Sequence, residues 1–173
     1  MDKKRTDLIL RSALGILVAA LIMVTISTLE QRIVQAGETA PSFQITTDAG
    51  QTVSVNSFGG KLLVLNFWAT WCPPCVQEMP SLVAFAEQMK AKGVVVLGVS
   101  VDKNEKTYKQ FLQNARVTFV TARDPDANIS SSYGTFKYPE TYVIDQKGNV
   151  LEKFIGPENW SDPKVIERIS RHL

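Results

Sequence analysis

From residue 43 onward, apolar and polar positions follow the periods of strands and helices in turn. Phe43-Gln44-Ile45-Thr46 and Thr52-Val53-Ser54-Val55 alternate on either side of Asp48-Ala49-Gly50, which predicts a β-hairpin. Lys61 to Phe67 and Val94 to Val101 are continuous apolar runs, the pattern of strands buried on both faces. Between them, Met79, Leu82, Val83, Ala86 and Met89 recur at helical spacing and predict a helix over 73–91, with Gly93 as its stop and Pro80 as a kink inside it. Glu105 to Ala115 reads as a helix, Val117 to Ala122 as a short strand, and Ala127 to Tyr133 as a short helix ended by Gly134. Glu140 to Asp145 and Val150 to Ile155 flank Gln146-Lys147-Gly148-Asn149 as an antiparallel hairpin. Asp162 to Leu173 closes the chain as a helix, with Ser161 or Asp162 as cap and Pro163 in the first turn. Buried strands joined by helices, then a hairpin and a last helix, imply an α/β sandwich.

The N-terminus has a different pattern. Ser12 to Leu29 is uncharged and mostly apolar, without a polar face. Eighteen helical residues span about 27 Å, close to one bilayer core. Lys3, Lys4, Arg5 and Arg11 precede the run and only Arg32 follows closely, so the positive-inside bias puts the N-terminus in the cytoplasm. A cleaved signal peptide, cut after Val34-Gln35-Ala36, is the weaker reading, because the run is long for such a segment and the cut lies well past its end. Both readings export everything that follows to the oxidising side of a membrane.

Charge and cysteine count narrow the chemistry. The net charge of +2 comes entirely from residues 1–36, so the main domain is neutral and carries no nucleic-acid footprint. Two cysteines are too few for a disulfide scaffold or a four-ligand zinc site, and the lone His172 sits almost at the C-terminus, so no metal is expected. Spaced as Cys72-Pro73-Pro74-Cys75, they point to redox chemistry ahead of the other reading of such a pair, half of an intermolecular metal site.

That pair lies where a buried strand meets a helix. A thiolate attacks disulfides, and the unpaired N–H groups and dipole at a helix N-terminus favour an anion there. Cys72, at the expected cap, is the candidate nucleophile. Cys75, one turn on and roughly 5–6 Å away, is placed to resolve a mixed disulfide. Pro73 and Pro74 occupy the first turn, where missing N–H groups cost least.

Asn66-Phe67-Trp68-Ala69-Thr70-Trp71-Cys72-Pro73-Pro74-Cys75, followed by Glu78 and Pro80, resembles the thioredoxin superfamily and, more closely, its membrane-tethered TlpA/ResA/CcmG group. The resemblance covers about residues 38–173. It implies a thioredoxin-like three-layer sandwich with an N-terminal β-hairpin and a central strand–helix insertion, preceded by one transmembrane helix. The resulting layout is a tail and anchor at 1–30, a linker at 31–41 and the domain at 42–173. Thioredoxins carry a buried aspartate where this chain has Asn66. The resemblance gives Glu78 the task of shifting the cysteine pKa values and accepting a proton from Cys75. It also implies a cis peptide before Pro139, in Tyr138-Pro139-Glu140-Thr141, with that loop beside the dithiol and pairing with an extended client. Read from the local sequence alone, Pro139 could simply begin a strand. Glu140 resembles the acid after this proline in the CcmG-like branch, while an ordinary exposed glutamate fits it equally well. Trp71 is expected half-exposed on the client surface and Trp68 in the core; Trp160 and His172 are given packing and surface roles.

The function these features imply is thiol–disulfide exchange without a cofactor. The resemblance favours a reductase of exported protein disulfides, such as those of apocytochrome c during cytochrome c maturation. It implies recharging by a membrane thiol–disulfide donor of the CcdA/DsbD type, and the N-terminal helix would meet membrane lipid. Two alternatives are a thiol peroxidase of the peroxiredoxin-like group and a Sco-like copper-delivery module. Residues 65–72 lack the proline usual before a peroxidatic cysteine, and copper carriers space their cysteines one residue further apart.

Overall fold

The computed structural model describes residues 3–29 and 33–173, and within the first helix it describes the side chains of residues 11–25. The chain divides into two units, the second being Ile33–Leu173. In the first unit, α1 (Lys3–Leu29) is one uninterrupted helix. Its described side chains are all exposed, Leu14, Ile16, Leu17, Leu21 and Met23 among them. Among the described residues, no helix is long and apolar enough to cross a membrane. The anchor expected at 12–29 is therefore not established: the side chains of 26–29 lie outside the described ones, as do residues 1, 2 and 30–32 of the tail and linker.

The second unit is built on a five-stranded sheet of order β5-β4-β3-β6-β7. Its strands are β3 (Leu62–Trp68), β4 (Val94–Ser100), β5 (Val120–Arg123), β6 (Glu140–Asp145) and β7 (Val150–Ile155). β3, β4 and β5 run parallel, while β6 and β7 pair antiparallel. A separate antiparallel hairpin joins β1 (Gln44–Thr46) to β2 (Thr52–Ser54). The helices are α2 (Pro73–Lys90), α3 (Glu105–Asn114), α4 (Asn128–Ser132) and α5 (Pro163–Ser170). This is the thioredoxin-like α/β arrangement that the sequence implies.

Every residue of β3 is buried, because its two faces serve different layers. Leu63, Leu65 and Phe67 meet the hairpin side, packing with Phe43, Ile45, Val55, Tyr133 and Tyr142. Leu62 and Val64 meet Leu82, Phe85 and Met89 of α2 and Ile169 of α5. Each such aliphatic side chain contributes roughly 1.5–3 kcal/mol by leaving water. β3 is thus a rail fixed on both sides, and it ends four residues before Cys72.

Three local departures have physical causes. The buried stripe of α2 includes Phe85, while Val83 is only partly covered. β5 starts at Val120, not at 117, because α3 ends in a Schellman turn: Val117 N donates to Leu112 O and Arg116 N to Gln113 O. Arg116 takes the left-handed position, φ 49°, where glycine is usual, so no glycine signals the stop. Finally, residues 34–40 of the expected linker lie on the sheet unit. Val34 N donates to Tyr133 O, Gly37 N to Val150 O and Ala40 N to Gly148 O, and Val34 is buried.

Candidate active site

Cys72 caps α2 in an extended conformation, and Pro73 and Pro74 fill the first helical turn. Cys72 and Cys75 form a disulfide with Cα atoms 5.3 Å apart. The Cys75 backbone N–H donates to Cys72 Sγ at 3.3 Å, so the helix terminus points a donor at that sulfur. The two residues differ in access: Cys72 is 5% exposed and Cys75 fully buried.

Behind the dithiol, Glu78 is buried in α2. Its Oε1 accepts from Asn66 Nδ2 at 2.9 Å, and its Oε2 accepts from Glu158 N at 3.0 Å and Trp160 Nε1 at 3.2 Å. Burial pushes its proton affinity above the ordinary carboxyl range. The three donors pull it back, and the charge of Glu158 adds to the rise. Asn66 also donates to Thr141 Oγ1, while its own Oδ1 is buried without a partner among the described residues.

In front of the dithiol, the Tyr138–Pro139 peptide is cis. Tyr138 meets the exposed Trp71 ring edge-on, centroids 6.0 Å apart, and its hydroxyl shares a hydrogen bond with Ser130 Oγ. Trp71 is 63% exposed and Phe136 68%, so an aromatic rim stands in solvent around the loop.

The turn leading into Cys72 is held from below. Asp102, just past β4, is buried and accepts from Thr70 N at 2.9 Å, Thr70 Oγ1 at 2.6 Å and Ser100 Oγ at 2.6 Å. Asp102→Ala strands the Thr70 N–H and the Ser100 hydroxyl, at roughly 1–3 kcal/mol for each unpaired group. The expected result is a lower urea midpoint with an unchanged m-value. A midpoint within error of the parent would show that this carboxylate does not hold the turn.

The dithiol thus stands at a strand–helix junction, with a buried acid one turn further along α2. The redoxin family model matches residues 35–169. The chain belongs to the redoxin family. A thiol–disulfide oxidoreductase ResA of Oceanobacillus iheyensis is 37% identical, the match covering 87% of this chain and 82% of the relative. A ResA of Geobacillus kaustophilus is 32% identical across 99% of this chain and 97% of its own. The crystal structure of a putative thiol:disulfide interchange protein DsbE from Chlorobium tepidum superposes with TM-score 0.73 at 28% identity, covering 81% of this chain and 98% of that one. This redoxin is a thiol–disulfide oxidoreductase, with Cys72 and Cys75 as its exchanging pair.

The structure of this redoxin brings Cys72, Cys75, Glu78, Trp71, Tyr138 and Pro139 to one end of the sheet. Trp68 is in the core. Glu140 opens β6 at the same end of the sheet but turns to the other face. It pairs with Phe67 across β3–β6 and so shares the face opposite α2. There it is fully buried, bonded to Lys153 Nζ at 2.9 Å and to the Tyr142 hydroxyl. His172 pairs with Glu152 at the surface. Sequence reasoning missed the second donor set. Trp160 reads as a packing residue, yet its indole N–H reaches Glu78 across 82 positions. No local motif marks it; only the closing of β7 onto α2 does.

Proposed function

We propose that this chain is a membrane-tethered reductase of protein disulfides on the extracytoplasmic side, with Cys72 attacking and Cys75 resolving. The observation that carries the assignment of roles is the asymmetry of the two cysteines: Cys72 is the more accessible one and receives the helix N–H, while Cys75 is fully buried. The reduced Cys72 thiolate attacks a client disulfide, forming a mixed disulfide and releasing one client thiolate. Cys75, its proton passed to Glu78, then attacks Cys72 Sγ. The second client thiolate leaves, the Cys72–Cys75 bond forms, and two electrons have moved to the client. A membrane thiol–disulfide donor of the CcdA/DsbD type returns them.

Trp71, Pro73, Pro74, Tyr138 and Pro139 form the wall against which an extended client lies, its backbone paired with the loop. Glu140 follows that loop directly and is held on the far face by Lys153. Clients are exported chains with paired cysteines. Apocytochrome c fits, because its haem-binding cysteines must be reduced before they can bond haem. The tether rests on the uncharged run 12–29, on the basic residues that precede it, and on outward-facing apolar side chains in α1 that want lipid.

The test is equilibration of the full chain, in detergent, with glutathione buffers of stepped ratio, followed by trapping of free thiols. A reductase stays oxidised until the buffer approaches the potential that reduces thioredoxin, about −270 mV, and an oxidase is already reduced at about −120 mV. A chain that instead drives disulfide formation in a reduced test protein ends the reductase reading.

A further inference from the structure

We propose that Trp160 is a positioning residue for the redox site, its indole N–H setting how readily Glu78 takes up the resolving proton. The inference rests on the reading of Glu78 as proton acceptor and deepens it.

Glu78 is held between two bodies. From the sheet, Asn66 donates to Oε1. From the loop after β7, Glu158 N and Trp160 Nε1 both donate to Oε2. The loop is itself fastened to α2: Trp160 N donates to Ser81 Oγ, and Ser81 Oγ donates to Glu78 O. The Trp160 ring is fully buried between Phe85 and Phe154, with centroids 5.5 and 5.3 Å away, so the N–H cannot swing aside. The same loop lines a groove of about 370 Å³ with Gln77, Glu78, Pro80 and Ser81, which gives the acid a route to solvent.

This geometry has a chemical consequence. A carboxylate oxygen with two donors aimed at it holds negative charge well and a proton poorly. Each donor lowers the proton affinity that burial raises. Among the described residues the indole is the one side-chain donor on Oε2, and so the one that substitution can remove without altering the backbone. The charged and titratable groups facing Glu78 are few among the described residues. Glu158 from the loop raises its proton affinity, and Cys75 lies on its own helix. β3 and β6 present only the neutral Asn66 and Thr141.

Trp160→Phe keeps an aromatic ring against Phe85 and Phe154 and deletes the donor. In the reduced full chain, the Glu78 carboxyl titration followed by carbon-13 NMR should move upward by on the order of one pH unit. The acid limb of the exchange rate should move with it. Glu158→Gln, which keeps the backbone donor and removes the facing charge, should move both downward. A parent-like Glu78 midpoint in folded Trp160→Phe overturns the Trp160 inference alone. If the Glu78 midpoint moves but the rate limb does not, the indole sets the Glu78 charge but not the exchange, and both the proton-acceptor role of Glu78 and the positioning role of Trp160 fall. Should Trp160→Phe not fold, the parent chain supplies the test. The Trp160 indole N–H resonance should shift with the Glu78 midpoint and stop doing so in Glu78→Gln; an indole signal flat across that midpoint overturns the inference equally.

Discussion

Cys72→Ser should reduce disulfide exchange to the uncatalysed background, while Cys75→Ser should leave the first attack intact and stop the cycle at the mixed disulfide. The difference follows from where the two cysteines lie. Cys72 caps α2, with the Cys75 N–H donor 3.3 Å from its sulfur, and keeps a small exposure. A serine hydroxyl in its place is not ionised near neutrality and cannot form the bond that opens the reaction. Cys75 has no exposure, and its substitution removes only the attack on Cys72 Sγ. Full-length Cys75→Ser should therefore accumulate as a stoichiometric adduct with a disulfide client, visible on a non-reducing gel and cleared by dithiothreitol. In cells, mass spectrometry of that adduct would name the client. Trapping by Cys72→Ser and none by Cys75→Ser would reverse the two roles.

The readable and unreadable parts of this protein divide along a physical line. Strands buried on both faces and helices with one buried stripe leave their period in the sequence, so β3, β4 and α2 are legible within a residue or two. The Schellman turn at Arg116 is not, because its hydrogen bonds are backbone-only and a non-glycine residue takes the left-handed position. In the site, the dithiol and the proline loop are legible as motifs. Their supports are contacts between distant segments. Asp102 reaches back 32 residues to Thr70, and Trp160 reaches 82 to Glu78. Glu140 shows the converse. It adjoins the cis-proline in sequence, yet strand alternation turns its side chain to the other face, where Lys153 two positions from its β7 partner meets it.

Glu78→Gln should slow resolution by roughly a hundredfold, the size of a general-base contribution, and leave the Cys72 attack near the parent rate. The substitution is close to isosteric, and the site has the means to accept it. Asn66 donates to Glu78 Oε1 while its own Oδ1 is buried without a partner among the described residues. By turning its amide over, Asn66 can offer Oδ1 to the new amide and accept from the Thr141 hydroxyl. Trp160 Nε1 and Glu158 N still find a carbonyl oxygen. The fold should survive, which makes the kinetic effect interpretable. Single-turnover measurement should show the mixed disulfide building up in the variant as it does not in the parent. A parent-like resolution rate would remove Glu78 from the mechanism. The pH dependence carries a second check with a definite sign. Burial raises the proton affinity of Glu78 above its unfolded value, so its contribution to stability is fullest below the unfolded pKa, near 4.5, and is lost as pH rises through the folded value. Glu78→Gln removes that loss. Relative to the variant, the parent should therefore be most stable below about pH 4.5 and should give up that advantage as the carboxylate forms. Through the folded value the parent's resolution rate should climb, since the base works only when deprotonated. Stability that falls from the unfolded pKa up to the folded one, and a rate that rises through the folded one, both absent in the variant, are the signature of a carboxylate kept in the core for its chemistry.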